Sequence, residues 1–450
     1  MSLTGQPSGE LTALEEKLGS FESDERRQAL AAICRMAESG AIALPKAGTD
    51  VNLHCHTFFS YNPYGHSPSR FAWLARQAGL AVAGIVDFDV LDGLEEFLAA
   101  GRALGLKACV GLETRVYIPE FADLVINSPG EPGVSYHMGV GFPTSRLTGR
   151  EAEFLSHLRA ISQERNRELT QRVNAYLSPV SLDYDRDVLP LTPSGNATER
   201  HICLAYALRA RAVCADAREL ARFWSEKLEV EASALDLPTG VGLQSLIRSK
   251  TMKSGGVGYV QPDAGSFPHL AETNQFILAA GGIPTHTWLD GTSEGEERLE
   301  ELLRVAMGAG VMAINIIPDR NYTPGDPDVK LANLYRAVEI AEGLALLVVV
   351  GTEMNSPGQK LVDDFGSKEL APLVPVFLRG AHAVYAHSVL QRKCGLGYAS
   401  RWAQHRFPEL RQRATFFAQV GARLSVGEEE ALAGLTGDAS PDAILKRTEQ

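Results

Sequence analysis

Two histidines separated by a single residue, His54 and His56, close the strand-like run Val51-Asn52-Leu53. Side chains alternate across a strand with period two, so both imidazoles are expected on the same side. Paired imidazoles at a strand end suit a transition metal, with further ligands drawn from elsewhere in the chain. Groups of the right kind recur at or just after other apolar runs: Asp87 and Asp89, Glu113, His286, Asp319-Arg320 and Glu353, with His137 inside a run. Imidazole together with carboxylate favours Zn, Mn or Fe over Ca. Singly, each group has a plainer reading. His137 reads as a hydrogen-bonded core histidine, Glu113 as an exposed strand terminator, and Asp87 and Asp89 as helix caps. Alongside the His-x-His pair, they converge on a metal site.

The elements that must position these groups are short apolar strands, at Val51–Leu53, Ala81–Val86, Lys107–Leu112, Val134–Val140, Gly282–Thr285, Val311–Ile317 and Leu344–Val350. Helical patterns alternate with them, at Pro68–Gln77, Gly93–Ala103, Glu296–Met307 and Leu331–Ala341. This alternation predicts an α/β fold with parallel strands, and seven strands can close into a barrel. Parallel barrels build their sites at the C-terminal ends of the strands, which is where nearly all of these polar groups fall. Between the fourth and fifth strands, residues 150–269 are rich in Ala, Arg, Glu and Leu and read as a helical insertion domain. Residues 1–47 and 359–450 read as helical extensions, leaving 48–149 and 270–358 for the barrel.

The chain has 450 residues, 45% hydrophobic and 22% charged, as expected of an ordinary globular protein. A net charge of -12 argues against general nucleic-acid binding or an anionic membrane surface. No run approaches the ~20 apolar residues of a membrane span, and the first residues lack the pattern of a signal peptide. The six cysteines show no C-x-x-C spacing and read as reduced thiols, so a cytoplasmic location is expected. Oligomeric state is not legible.

The chain resembles the PHP (polymerase and histidinol phosphatase) family of metal-dependent phosphoesterases. The stretches that carry the resemblance are Leu-His-Cys-His-Thr (53–57), Ile-Val-Asp-Phe-Asp (85–89), Gly-Leu-Glu (111–113), His137, Gly-Gly-Ile-Pro-Thr-His (281–286) and Gly-Thr-Glu-Met-Asn (351–355). The resemblance implies a distorted seven-stranded β/α barrel whose helical insertion helps select substrate. It also implies a first metal held by His54, His56, Glu113 and Glu353, and a second by Glu113, His137 and His286. The family's remaining site would draw on positions occupied here by Tyr61-Asn62, Phe88 and Asn355, so two metals per chain are expected rather than three.

The expected activity is that of a two-metal phosphoesterase acting on a small phosphorylated molecule. Candidate phosphate partners are Arg200 and His201 at a helix start, Lys253 before Gly255-Gly256, and Arg320 after strand six. Asp87 is expected either as a general acid or base or, preferably, as a carboxylate orienting a ligand histidine. Loss of a whole metal site leaves two alternatives: a catalytically altered PHP-like metal-binding protein with a ligand-binding or regulatory role, or a site that hydrolyses an amide or lactone.

Overall fold

The computed structural model describes residues 9–321 and 327–448, the side chains of 327 and 328 excepted. Seven strands form one sheet in sequential order: β1 (Val51–Cys55), β2 (Val82–Phe88), β3 (Lys107–Tyr117), β4 (Val134–Val140), β5 (Ile283–Trp288), β6 (Ala313–Ile316) and β7 (Leu347–Val350). Backbone bonds bring the chain just past β7 back to the end of β1. His56 N–H donates to Glu353 O and Glu353 N–H to His54 O, both at 2.7 Å. The sheet is therefore a nearly closed, distorted barrel. All seven expected strands are present.

One expectation about direction is corrected. β4 runs antiparallel to both β3 and β5, while the other pairs are parallel. A parallel step needs a crossover, usually a helix. The chain between β3 and β4 has only the single turn Pro119–Phe121, and Ile118 N–H bonds Gly133 O at 2.8 Å across the neck of the loop. The pairing with β4 also carries β3 on to Tyr117, so Glu113 lies within the strand rather than at its end.

Parallel neighbours are joined by helices Pro68–Gln77, Leu94–Leu104, Leu299–Gly308 and Pro327–Gly343, and helix Leu270–Ala279 precedes β5. Each buries an apolar face, such as Phe71, Ala72 and Ala75 on the first and Leu302, Leu303 and Ala306 on the third. A 21-residue helix, Val374–Cys394, packs against the barrel strands, β7 above all. A Cβ at its Gly380 would run into the Val348 carbonyl, so glycine permits that close approach. Its His387 accepts Tyr398 N–H and donates to Gly281 O.

The chain divides into two compact units. The first comprises residues 1–57, 62–152 and 267–450 and contains the barrel. The second comprises 58–61 and 153–266, with helices Glu199–Val213, Ala217–Leu228 and Val241–Thr251 and most of Gly149–Leu177. Its core is built on Trp224, Tyr206, Val173 and Ile247. No helix among the described residues is long and apolar enough to cross a membrane.

Candidate metal centre

His54 and His56 emerge on one side of β1, as the alternation requires. Their Nε2 atoms lie 3.3 Å apart, and Glu113 Oε2 lies 3.1 Å from His56 Nε2 and 3.6 Å from His54 Nε2. All three residues are buried. Among the described residues, they are the one group of three or more His, Cys, Asp or Glu side chains whose ligand atoms converge within 4.8 Å. A tetrahedral ion with bonds of about 2.05 Å spaces its ligand atoms about 3.3 Å apart. The observed triangle matches that spacing, so the donor set fits one divalent cation with a position left open.

The electrostatics fit as well. Burial works against the Glu113 carboxylate, but the two imidazoles hold its pKa down at about 2. Burial likewise opposes charge on His54, yet Glu113 and Glu353 more than offset it and raise its pKa. His54 Nδ1 lies 2.9 Å from Asn315 Oδ1, and Asn315 Nδ2 faces Val349 O at 3.4 Å. The amide oxygen thus accepts the Nδ1–H and leaves the Nε2 lone pair aimed at the cluster. Asn315 is absent from the sequence reading. Its signal was an amide in the middle of the apolar run Ala313–Ile317.

Glu353 lies beside the triangle, outside its 4.8 Å group. Its Oε2 is held by Arg320 Nη2 at 3.2 Å and by Gln359 Nε2 at 3.0 Å. Arg320 therefore stands at the barrel mouth, paired with the acid that the resemblance makes a ligand. Asp87 is outside that 4.8 Å group. Its two oxygens accept Thr57 N–H at 2.8 Å and Thr57 Oγ1–H at 2.6 Å, fixing the residue after His56. Phe88 packs tilted against the His56 ring, 4.4 Å between centroids, and forms an apolar wall beside it.

His137 and His286 are not brought to the centre. In the β3–β4 register Glu113 faces Met138, while His137 faces Thr114 and, across β4–β5, His286. Paired residues share a sheet face and successive residues alternate, so His137 and His286 lie on the face opposite to Glu113. Gly139 and Gly282 are on that same face, and a Cβ at either would meet Ile277 of helix Leu270–Ala279. From that helix Asn274 Oδ1 accepts His137 Nε2–H at 2.6 Å. Burial lowers the pKa of His137 to about 4. For His286, burial and the neighbouring His137 lower it to about 3. Both are neutral imidazoles behind the barrel wall, and the expected second ligand set, Glu113 with His137 and His286, is not assembled. One residue of register separates the two faces.

The remaining candidates belong to the second unit. His201 is engaged in a capping box at the start of helix Glu199–Val213, where its Nδ1 accepts Thr198 N–H at 3.1 Å. Burial lowers its pKa to about 4. Lys253 Nζ and Arg248 Nε approach the same Glu199 oxygen, at 2.7 and 2.8 Å, and Arg200 Nη1 lies 3.2 Å from Ser245 Oγ. Arg248, which the sequence did not single out, thus shares the Glu199 carboxylate with Lys253.

No protein-family model and no curated protein matches the chain. Several solved structures are similar to it, among them the following two. One is an amidohydrolase from Chromobacterium violaceum with bound sulfate and no metal, at 17% identity and a TM-score of 0.47 over 69% of this chain and 88% of that one. The other is a candidate metal-dependent phosphoesterase from Bifidobacterium adolescentis, at 18% identity and a TM-score of 0.47 over 74% and 97%. At that identity and score they carry nothing about chemistry, and the site stands on its own geometry.

Proposed function

We propose that this protein is a metal-dependent hydrolase, a phosphoesterase acting on a small phosphorylated molecule, with one metal held by His54, His56 and Glu113. The observation that carries this reading is the buried His-His-Glu triangle at the C-terminal mouth of the barrel, with ligand spacings of 3.1, 3.3 and 3.6 Å. A divalent cation there supplies Lewis acidity and lowers the pKa of water. Zn, Mn and Fe all suit the donor set.

The chain's own groups supply the rest. Asn315 orients His54, and Asp87 fixes Thr57 and with it the end of β1. Arg320, half-exposed at the mouth, is the group suited to grip an anionic oxygen bidentately once it turns from Glu353. Phe88 keeps water from one side of His56. Arg200, His201 and Lys253 remain proposed anion contacts within the second unit, His201 through the Nε2 that its helix cap does not use.

One metal instead of two also favours a second reading. Met138 stands opposite Glu113, and Phe88 stands against His56, so apolar groups line the centre on both sides. That lining is consistent with a catalytically altered metal-binding protein. Turnover of a panel of nucleotide and sugar phosphates by metal-loaded protein separates the two readings. Hydrolysis that disappears in His54→Ala supports the enzyme; stoichiometric metal binding with no turnover across the panel supports the binder.

A further inference from the structure

The backbone just beyond β7 is held in an uncommon state. Glu353 and Met354 are consecutive non-glycine residues in the left-handed region, with φ of 61° and 50°. A Cβ disfavours that region, and two such residues in succession persist only where their surroundings over-determine them. Two of the ties are the backbone bonds that bracket Glu353 between His54 and His56. The third is Asn62. Its Nδ2 donates to His56 O at 2.9 Å and to Met354 O at 3.2 Å. Its Oδ1 accepts Tyr64 N–H at 2.9 Å and His66 N–H at 3.3 Å. Both donors and both acceptor sites are thereby used in a buried side chain, leaving none for a metal.

We propose that Asn62 is a positioning residue of the metal centre, clamping the carbonyls of His56 and Met354 so that the left-handed Glu353–Met354 turn holds the Glu353 carboxylate beside the His54–His56–Glu113 triangle. This rests on the metal reading above. The clamp acts through donors, whereas a ligand acts through an oxygen lone pair, and the two roles respond oppositely to Asn62→Asp. A ligand gains charge and binds metal more tightly. A clamp loses both N–H groups and sets a carboxylate against two carbonyl oxygens.

The test is calorimetric titration of Zn(II) into EDTA-stripped full-length protein, with folding followed by circular dichroism and thermal unfolding. Asn62→Ala is expected to weaken binding about 10- to 100-fold, as loss of a group supporting a ligand does, the ligand here being His56, whose carbonyl it holds. Asn62→Asp is expected to weaken it at least as much. Adding Met354→Gly to Asn62→Ala is expected to recover much of the loss, because glycine takes a positive φ without penalty. Binding by Asn62→Asp as tight as wild type or tighter overturns the clamp. So does a thermal shift in Asn62→Ala with affinity unchanged, or a folded double variant that recovers nothing. Failure of the wild type itself to bind Zn(II) overturns the metal reading and the clamp together.

Discussion

His54 Nδ1 and Asn315 Oδ1 lie 2.9 Å apart inside the barrel, and this contact decides which ring nitrogen His54 presents to Glu113 and His56. Asn315→Leu removes the acceptor and frees the imidazole to rotate or change tautomer. Divalent-metal affinity is expected to fall about 10- to 100-fold with the far-ultraviolet spectrum unchanged. Metal titration of the folded variant measures it; an unaltered affinity means that the ring is held some other way.

His137 and His286 lie on the far side of the sheet, so the centre should not notice their loss. His137→Ala and His286→Ala are expected to keep the wild-type metal content while losing stability by about 2–4 kcal/mol, the cost of emptying a buried position. Urea unfolding combined with elemental analysis separates these effects. Metal loss in either variant, at intact fold, would place the residue back among the ligands.

Arg320 is the cation at the mouth, paired with Glu353 at 3.2 Å. Arg320→Met is expected to lower kcat/KM for phosphoester turnover about 100-fold, the order of magnitude of losing one charged donor to the reacting group. Metal content should stay at the wild-type level. Equal losses of metal and activity would instead make the arginine a support for the centre.

His387 links stability to pH. In the fold its pKa is lowered to about 4 by burial, and as a neutral ring it accepts Tyr398 N–H and donates to Gly281 O. In the unfolded chain it titrates near 6.5. Between those values the unfolded state binds more protons, so the contribution of His387 is complete above about pH 6.5 and is lost as pH falls toward 4. Unfolding free energy measured at pH 7 and pH 5 should fall less steeply in His387→Gln than in wild type, by at most about 1.4 kcal/mol per pH unit. An identical slope contradicts the assignment.

Much of the fold was readable because apolar runs of strand length alternate with amphipathic helices, and those runs need neither partner nor direction to be recognised. Direction is another matter. Nothing local in Val134–Val140 says that β4 turns back, since a strand's pattern is the same read either way, and the hairpin-like loop that reverses it emerges only with the Ile118–Gly133 contact. The same limit governed the site. His54 lies in β1 and His56 is the first residue beyond it, so period-two alternation fixed their relation. Whether His137 or Met138 faces Glu113 depends on register between strands, and the sequence of β4 offers two adjacent candidates. Asn315 and Asn62 were missed as supporting residues because a buried amide announces a partner without naming it.

In this protein one metal is proposed to be bound by His54, His56 and Glu113. Elemental analysis of protein stripped and reconstituted with Zn(II), after removal of loosely bound ions, tests it most directly. One equivalent per chain is expected in wild type, one in His137→Ala and in His286→Ala, and less than about a tenth in His54→Ala or Glu113→Gln, on the order of the loss expected when one of three ligands is removed. Two equivalents in wild type, or full retention in folded His54→Ala, would contradict it.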